Sequence, residues 1–157
     1  MTGAWVLLAA LAVSTVVGLV QRSRAGRFRP VRRPTGATPT AEPGPAQTLP
    51  AADEGLLDVL ARLGHRPGER ATLLQFSSAF CAPCRATRRI LGEVADLVPG
   101  VRHVEVDAEE HLDVVRLLGI ARTPTTLVLD ADARVSARAT GLPRKAEVLS
   151  ALGHAVP

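Results

Sequence analysis

Six prolines (Pro30, Pro34, Pro39, Pro43, Pro45 and Pro50) fall among Gly, Thr and Ala in the stretch from 30 to 50, and regular structure should stop there. Proline has no N–H for a helix or a strand ladder, and its fixed φ favours an extended chain. The stretch therefore divides the 157 residues into an N-terminal segment and a portion, 51–157, long enough for one compact domain. An Arg-rich flank and Pro-rich linker over 22–50 would act as a semi-extended spacer of roughly 3 Å per residue.

The N-terminal segment, 1–21, contains no charged residue, and Gly3 to Val20 is an apolar run with no polar face. Its length suits a transmembrane helix. A cleaved signal peptide would carry its positive charge before the apolar run, whereas Arg22, Arg24, Arg27, Arg29, Arg32 and Arg33 all follow it. The positive-inside rule keeps such a flank cytoplasmic. The expectation is a single-pass cell-membrane anchor with its N-terminus outside and the domain in the cytoplasm.

The same arginines account for the basic balance. The chain has net charge +4, but residues 51–157 hold 13 of its 19 basic and 14 of its 15 acidic residues. A basic surface for phosphate is missing from the domain, and with 3% aromatics and no Tyr there is no stacking platform either. Nucleic acid is excluded as a partner.

Beyond Pro50 the periodicity is that of an α/β unit. Leu56, Leu57, Leu60 and Leu63 recur at helical spacing before Gly64, predicting a helix over Ala52 to Leu63. Ala71 to Ser77 is a short apolar strand, and helices follow over Arg85 to Val98, Glu109 to Leu118 and Arg144 to Leu152. Val101 to Val106 alternates as a strand, and Thr125 to Leu129 with Val135 to Thr140 flank a turn as an antiparallel hairpin. The order implies a mixed central sheet with helices on both faces, a three-layer α/β fold.

The two cysteines, Cys81 and Cys84, lie at the junction of the first strand and its helix, in Cys81-Ala82-Pro83-Cys84. A pair three residues apart cannot staple a scaffold. It can exchange disulfides, because a thiolate is the attacking species and the free N–H groups of a helix start favour negative charge on the first sulfur. Cys84, one turn on, can attack a mixed disulfide on Cys81 and release the product. Pro83 fits a first turn that needs no donor from it. Cys81 is the candidate nucleophile and Cys84 the resolving thiol.

From about Ala71 to Leu152 the chain resembles the thioredoxin superfamily. The resemblance rests on the strand before the motif, Cys-x-Pro-Cys at a helix start, Val104-Glu105-Val106-Asp107, Thr123-Pro124-Thr125 and Gly141 after the hairpin. It implies the thioredoxin-like form of the three-layer fold and a protein-disulfide oxidoreductase activity, most naturally a reductase in a reducing compartment. It also implies a cis Thr123–Pro124 bond facing the sulfurs, with Thr123, Pro124, Phe80, Ala82 and Pro83 contacting substrate. No cofactor is implied beyond a redox-active Cys81–Cys84 disulfide. The implied partners are protein disulfide substrates and an upstream thiol or disulfide electron partner, with the membrane reached through the N-terminal helix.

The sequence departs from the family pattern at four positions. Phe80 and Ala82 stand where thioredoxins usually have Trp and Gly, Gln75 replaces a buried Asp that assists the second cysteine, and His103 replaces a partner Lys. Gln75 cannot accept a proton at neutral pH. His103 is either a substitute base or an ordinary exposed strand histidine, the latter being the commoner fate of such a residue. Glu105 and Asp107 read as polar strand-end residues, and Arg85, Arg88 and Arg89 as a solvated helix face. A zinc site would need four ligands, and His65, His111 and His154 lack finger spacing. The remaining alternatives are a binding or scaffold module on the same fold and an extracytoplasmic oxidoreductase for envelope proteins.

Overall fold

β2 (Ala71–Ser77) organises the domain, because every one of its residues is buried. An apolar strand covered on both faces needs a helical layer on each. Its alternating side chains supply two cores. Leu74 and Phe76 pack with Leu56, Leu60, Val104 and Leu118, while Ala71 and Leu73 pack with Leu91, Val94, Val148 and Leu152. Phe76 is fully buried, and that burial alone contributes about 2 kcal/mol.

The structure, a computed structural model, describes residues 2–24, 26–31 and 55–156. Among these the other elements are α1 (Thr2–Arg24), β1 (Arg29–Pro30), α2 (Leu56–Arg62), α3 (Ala82–Leu97), β3 (Val101–Asp107), α4 (Leu112–Leu117), β4 (Thr125–Asp130), β5 (Val135–Thr140) and α5 (Lys145–Ala155). The sheet order is β1-β5-β4-β2-β3, with β2 and β3 parallel and the remaining pairs antiparallel. This is the expected mixed sheet, with α3 and α5 on one core and α2 and α4 on the other.

Some boundaries differ from the sequence expectation for local reasons. α3 begins at Ala82, inside the cysteine motif, because Cys81 itself caps it. α4 starts at Leu112 and not at Glu109, since the Asp107 carboxylate accepts from the Glu109 N–H at 2.8 Å and holds that stretch as a turn. α5 runs past Gly153 to Ala155. A helical glycine costs about 1 kcal/mol relative to alanine, and burial of Ala155 in the second core offsets it.

Larger corrections concern the N-terminal third. The expected transmembrane helix over 1–21 is not found as such: among the described residues no helix is long and apolar enough to cross a membrane. α1 is 23 residues long and runs on through Arg22 and Arg24. Its contiguous described side chains, Ala10 to Val20, are all exposed.

The segment expected to open the linker also folds onto the domain. Pro30 pairs with Ala137 and Arg29 with Arg138 as an edge strand. Proline is tolerated there because one side of an edge strand needs no donor. The Gly26 N–H donates to the Thr140 carbonyl at 2.7 Å, Val31 N–H donates to Ser136 at 3.0 Å, and Phe28 packs against the second core. Gly26 has φ +86°, and a Cβ there would collide with the Leu142 carbonyl, so glycine is required. Residues 32–50 of the expected linker, and Ala52 to Glu54 of the first expected helix, lie outside the described residues.

Candidate active site

β2 delivers the chain to the cysteine motif. After Ser77 a short turn leads to Cys81, whose N–H donates to the Ser78 carbonyl at 3.3 Å. Cys81 is the N-cap of α3 with extended φ and ψ of −101° and 96°, and Pro83 falls within the first turn. The Cys84 N–H donates to the Cys81 sulfur at 3.2 Å. A sulfur placed as an N-cap acceptor occupies the position where a helix start favours negative charge.

The two cysteines form a disulfide with a Cα–Cα separation of 5.2 Å. They differ sharply in access: Cys84 is 2% exposed, whereas Cys81 is only partly buried. Around them Phe80 is fully exposed, and Ala82 and Pro83 are exposed too. The Thr123–Pro124 bond is cis. Thr123 is half-buried and its hydroxyl shares a 2.9 Å hydrogen bond with that of Ser78, which ties the cis-proline loop to the cysteine turn. Pro124 is buried, and its carbonyl accepts from the Gly141 N–H at 2.8 Å.

A cavity of about 570 Å³ opens beside the disulfide, lined by Cys81, Cys84, Ser77, Arg88, Glu105 and Asp107 among others. Ser77, Arg88 and Glu105 of that lining belong to a polar network centred on Gln75, which lies behind it. Gln75 is wholly buried, and its amide nitrogen donates to Ser77 Oγ at 2.7 Å, the Cys84 carbonyl at 3.0 Å and Glu105 Oε1 at 3.3 Å. Its amide oxygen meets His103 Nε2 at 3.1 Å. Ser77 Oγ donates to Glu105 at 2.6 Å, and Arg88 forms an ion pair with the same carboxylate. Gln75 therefore stands in the place of a buried acid but acts as the donor that joins the helix start to β3.

Three residues belong at the site that the sequence reading left outside it. Ser77, Arg88 and Glu105 line the cavity together with the sulfurs. A signal for the first existed: Gln75 and Ser77 are polar, two apart in an apolar strand, and so point to one face. Glu105 became legible only through the β2–β3 register, which sets it beside Gln75. Arg88 belongs to the exposed face of α3, as expected, but its guanidinium folds back onto Glu105. His103 is half-buried and bonded to Gln75, and it is not part of the cavity lining, so the substitute-base reading finds no direct path to Cys84.

The electrostatics follow from these contacts. Burial pushes the Glu105 carboxyl upward, but hydrogen bonds from Arg88 and Ser77 with the nearby positive charge outweigh it and hold the group below its ordinary range. Glu105 in turn raises Arg88 through their hydrogen bond. Desolvation lowers His103, with Glu105 opposing and Arg88 reinforcing the shift. The network at neutral pH is thus a charged Arg88–Glu105 pair beside a neutral imidazole. Among the described residues no group of three His, Cys, Asp or Glu side chains is gathered as a metal ion would need.

Comparison with known proteins agrees with this geometry. The sequence profile of the family described as Thioredoxin matches residues 65–153. Thioredoxin-2 of Pyricularia oryzae is 29% identical over 82 residues, covering 52% of this chain and 48% of that protein. The chain thus spans about half the length of that curated relative. Among solved structures, chloroplastic thioredoxin z superposes with a TM-score of 0.51 at 26% identity, covering 62% of this chain and 84% of its own. A mutant thioredoxin from Halobacterium salinarum NRC-1 gives a TM-score of 0.53 at 16% identity over 57% of this chain and 77% of that one, a likeness of fold.

Proposed function

The chain belongs to the thioredoxin family, and from that premise we propose that it is a thiol-disulfide oxidoreductase acting on protein disulfides through Cys81 and Cys84. The observation that carries the reading is the unequal access of the two sulfurs. Cys81 is partly exposed, while Cys84 sits 2% exposed one turn behind it. In the reducing direction the Cys81 thiolate attacks one sulfur of a substrate disulfide. That S–S bond breaks, a mixed disulfide forms, and the released substrate thiolate takes a proton. Cys84 then loses its proton and attacks the Cys81 sulfur, expelling the second substrate thiolate, which is protonated in turn. Two electrons and two protons pass to the substrate, and an upstream dithiol returns them to the Cys81–Cys84 disulfide. No other cofactor enters this scheme.

The residues around the sulfurs take complementary parts. Phe80, Ala82 and Pro83 present an exposed apolar rim to substrate, and the Thr123–Pro124 segment supplies backbone for an extended chain. Gln75 cannot take the Cys84 proton, and the carboxylate sharing the cavity with Cys84 is Glu105.

The reading extends to place and direction. α1 attaches the domain to a membrane, supported by an apolar stretch exposed all round at Ala10 to Val20 and by the arginines that follow it. The Arg-rich flank suits the anionic surface of a cytoplasmic leaflet, and on that side reduction is the natural direction. Replacing Cys84 with Ser tests the chemistry: covalent protein adducts should accumulate through Cys81. If none forms under mild oxidation, the chain is a binding module. A reduction potential near about −270 mV marks a reductase and one near about −120 mV an oxidant.

A further inference from the structure

The edge strand β1 fixes where α1 can be. Phe76 of β2 pairs with Thr125 of β4, Thr125 pairs with Thr140 of β5, and Thr140 accepts from Gly26. These four residues form one transverse line across the sheet, at the end where β2 passes into the cysteine turn. Strands lie about 4.8 Å apart, so Gly26 is roughly 15 Å from Phe76 along that line. The last residue of α1, Arg24, is two positions before Gly26 and within about 7 Å of it. Hydrogen bonds link this end of the sheet to the site: Gly141 to Pro124, Thr123 to Ser78, and Cys81 to Ser78.

We propose that this strap holds the disulfide facing the membrane, so that the natural substrates are disulfides of membrane proteins lying close to the bilayer surface. The proposal rests on the reading of α1 as the membrane attachment. It changes what a tether does. A free linker from residue 22 to 50 would let the domain reach outward in any orientation. Pairing at 26–31 instead docks the domain next to the end of α1, and the side docked is the one bearing Cys81. The opposite end of the sheet, with the hairpin turn Asp130 to Arg134, then points away from the lipid. Six strand residues at about 3.3 Å each separate the two ends by roughly 20 Å.

Three features show that the strap is a built contact. Gly26 is required by its positive φ and the Leu142 carbonyl, Phe28 packs into the second core, and Val31 packs against the first. The arginines beside it, Arg27 and Arg29, sit where anionic headgroups would lie.

The test uses the full chain bound to vesicles of phosphatidylcholine and phosphatidylglycerol carrying an acceptor dye on some headgroups. A donor dye is placed on Cys81 in the Cys84→Ser chain. A second chain carries it on Asp132→Cys, with both native cysteines replaced by Ser. Energy transfer to the headgroups should be severalfold stronger from Cys81 than from position 132, and Gly26→Val should shrink that difference. Equal transfer, stronger transfer from position 132, or failure of the full chain to bind vesicles overturns the proposal. If Gly26→Val does not fold, the two probes on the intact strap decide alone. This readout needs no disulfide exchange, so a catalytic failure would count against the proposed function separately. For the substrate class, wild-type protein should reduce a disulfide next to the apolar segment of a membrane-inserted peptide severalfold faster than one set far beyond it, and equal rates overturn that part.

Discussion

Replacing Gln75 by Leu tests the claim that a buried amide, in place of an acid, joins the cysteine helix to β3. The side chain is wholly buried and makes four polar contacts, to Ser77, the Cys84 carbonyl, Glu105 and His103. The amide nitrogen has two hydrogens for its three acceptors, so the four contacts amount to three hydrogen bonds, two at the nitrogen and one at the oxygen, of about 1 kcal/mol each. Leu returns about 1.5 kcal/mol through its greater apolar burial. The net loss is about 1.5 kcal/mol, or roughly 1 M in urea midpoint at a slope of about 1.5 kcal/mol per M. The assay is equilibrium urea unfolding of the oxidised protein at pH 7, with hydrogen exchange of the Cys84 amide as a local probe. Gln75→Glu supplies a control with a sign: protonated, it can still donate to one partner, so its deficit should shrink in acid. Ionised, it faces Glu105 as a like charge, so the deficit should grow toward neutral pH. A Gln75→Leu loss below about 1 kcal/mol, or a Gln75→Glu deficit that ignores pH, would refute the reasoning.

The polar network should also give the wild-type protein a pH-dependent stability. His103 is held below its ordinary 6.5, so the unfolded chain binds its proton first, and stability falls as pH drops from about 6.5 toward the folded value. Glu105 is held below its ordinary 4.5, so its contribution is complete above that pH and is lost as pH falls through the folded value. Urea midpoints against pH should therefore decline in acid in two stages, His103→Gln removing the upper and Glu105→Gln the lower. Gly26→Ala forces a Cβ onto the Leu142 carbonyl at positive φ, a strain of about 1 to 3 kcal/mol; the Val31 amide should lose exchange protection while the β2 amides keep theirs. Leu91→Ala hollows the core between α3 and β2, where Leu91 is fully buried, and should cost about 2 to 5 kcal/mol by thermal or urea unfolding.

Elements whose pattern is local were legible in the sequence. β2 and β5 match their expected spans, because a short apolar or alternating run between turn residues has few other solutions. The cysteine motif at a strand-to-helix junction could be read for the same reason. Pro30 shows the converse: its neighbours suggest a linker, yet the open edge of β5 offers partners that turn Arg29 and Pro30 into a strand. No local pattern in 26–31 announces that edge.

The amino-acid sequence by itself determined the order of helices and strands beyond residue 55, the mixed sheet, and the pair Cys81 and Cys84 at a helix start. These follow from periodicity and capping, which act over a few residues. Only the tertiary structure decided that Cys84 is buried while Cys81 is reachable, and that Glu105, Ser77 and Arg88 converge beside them. It also brought Gly26 to the disulfide end of the sheet. Those facts depend on strand register and on which edge is left open, and both are set by contacts between residues far apart in the chain.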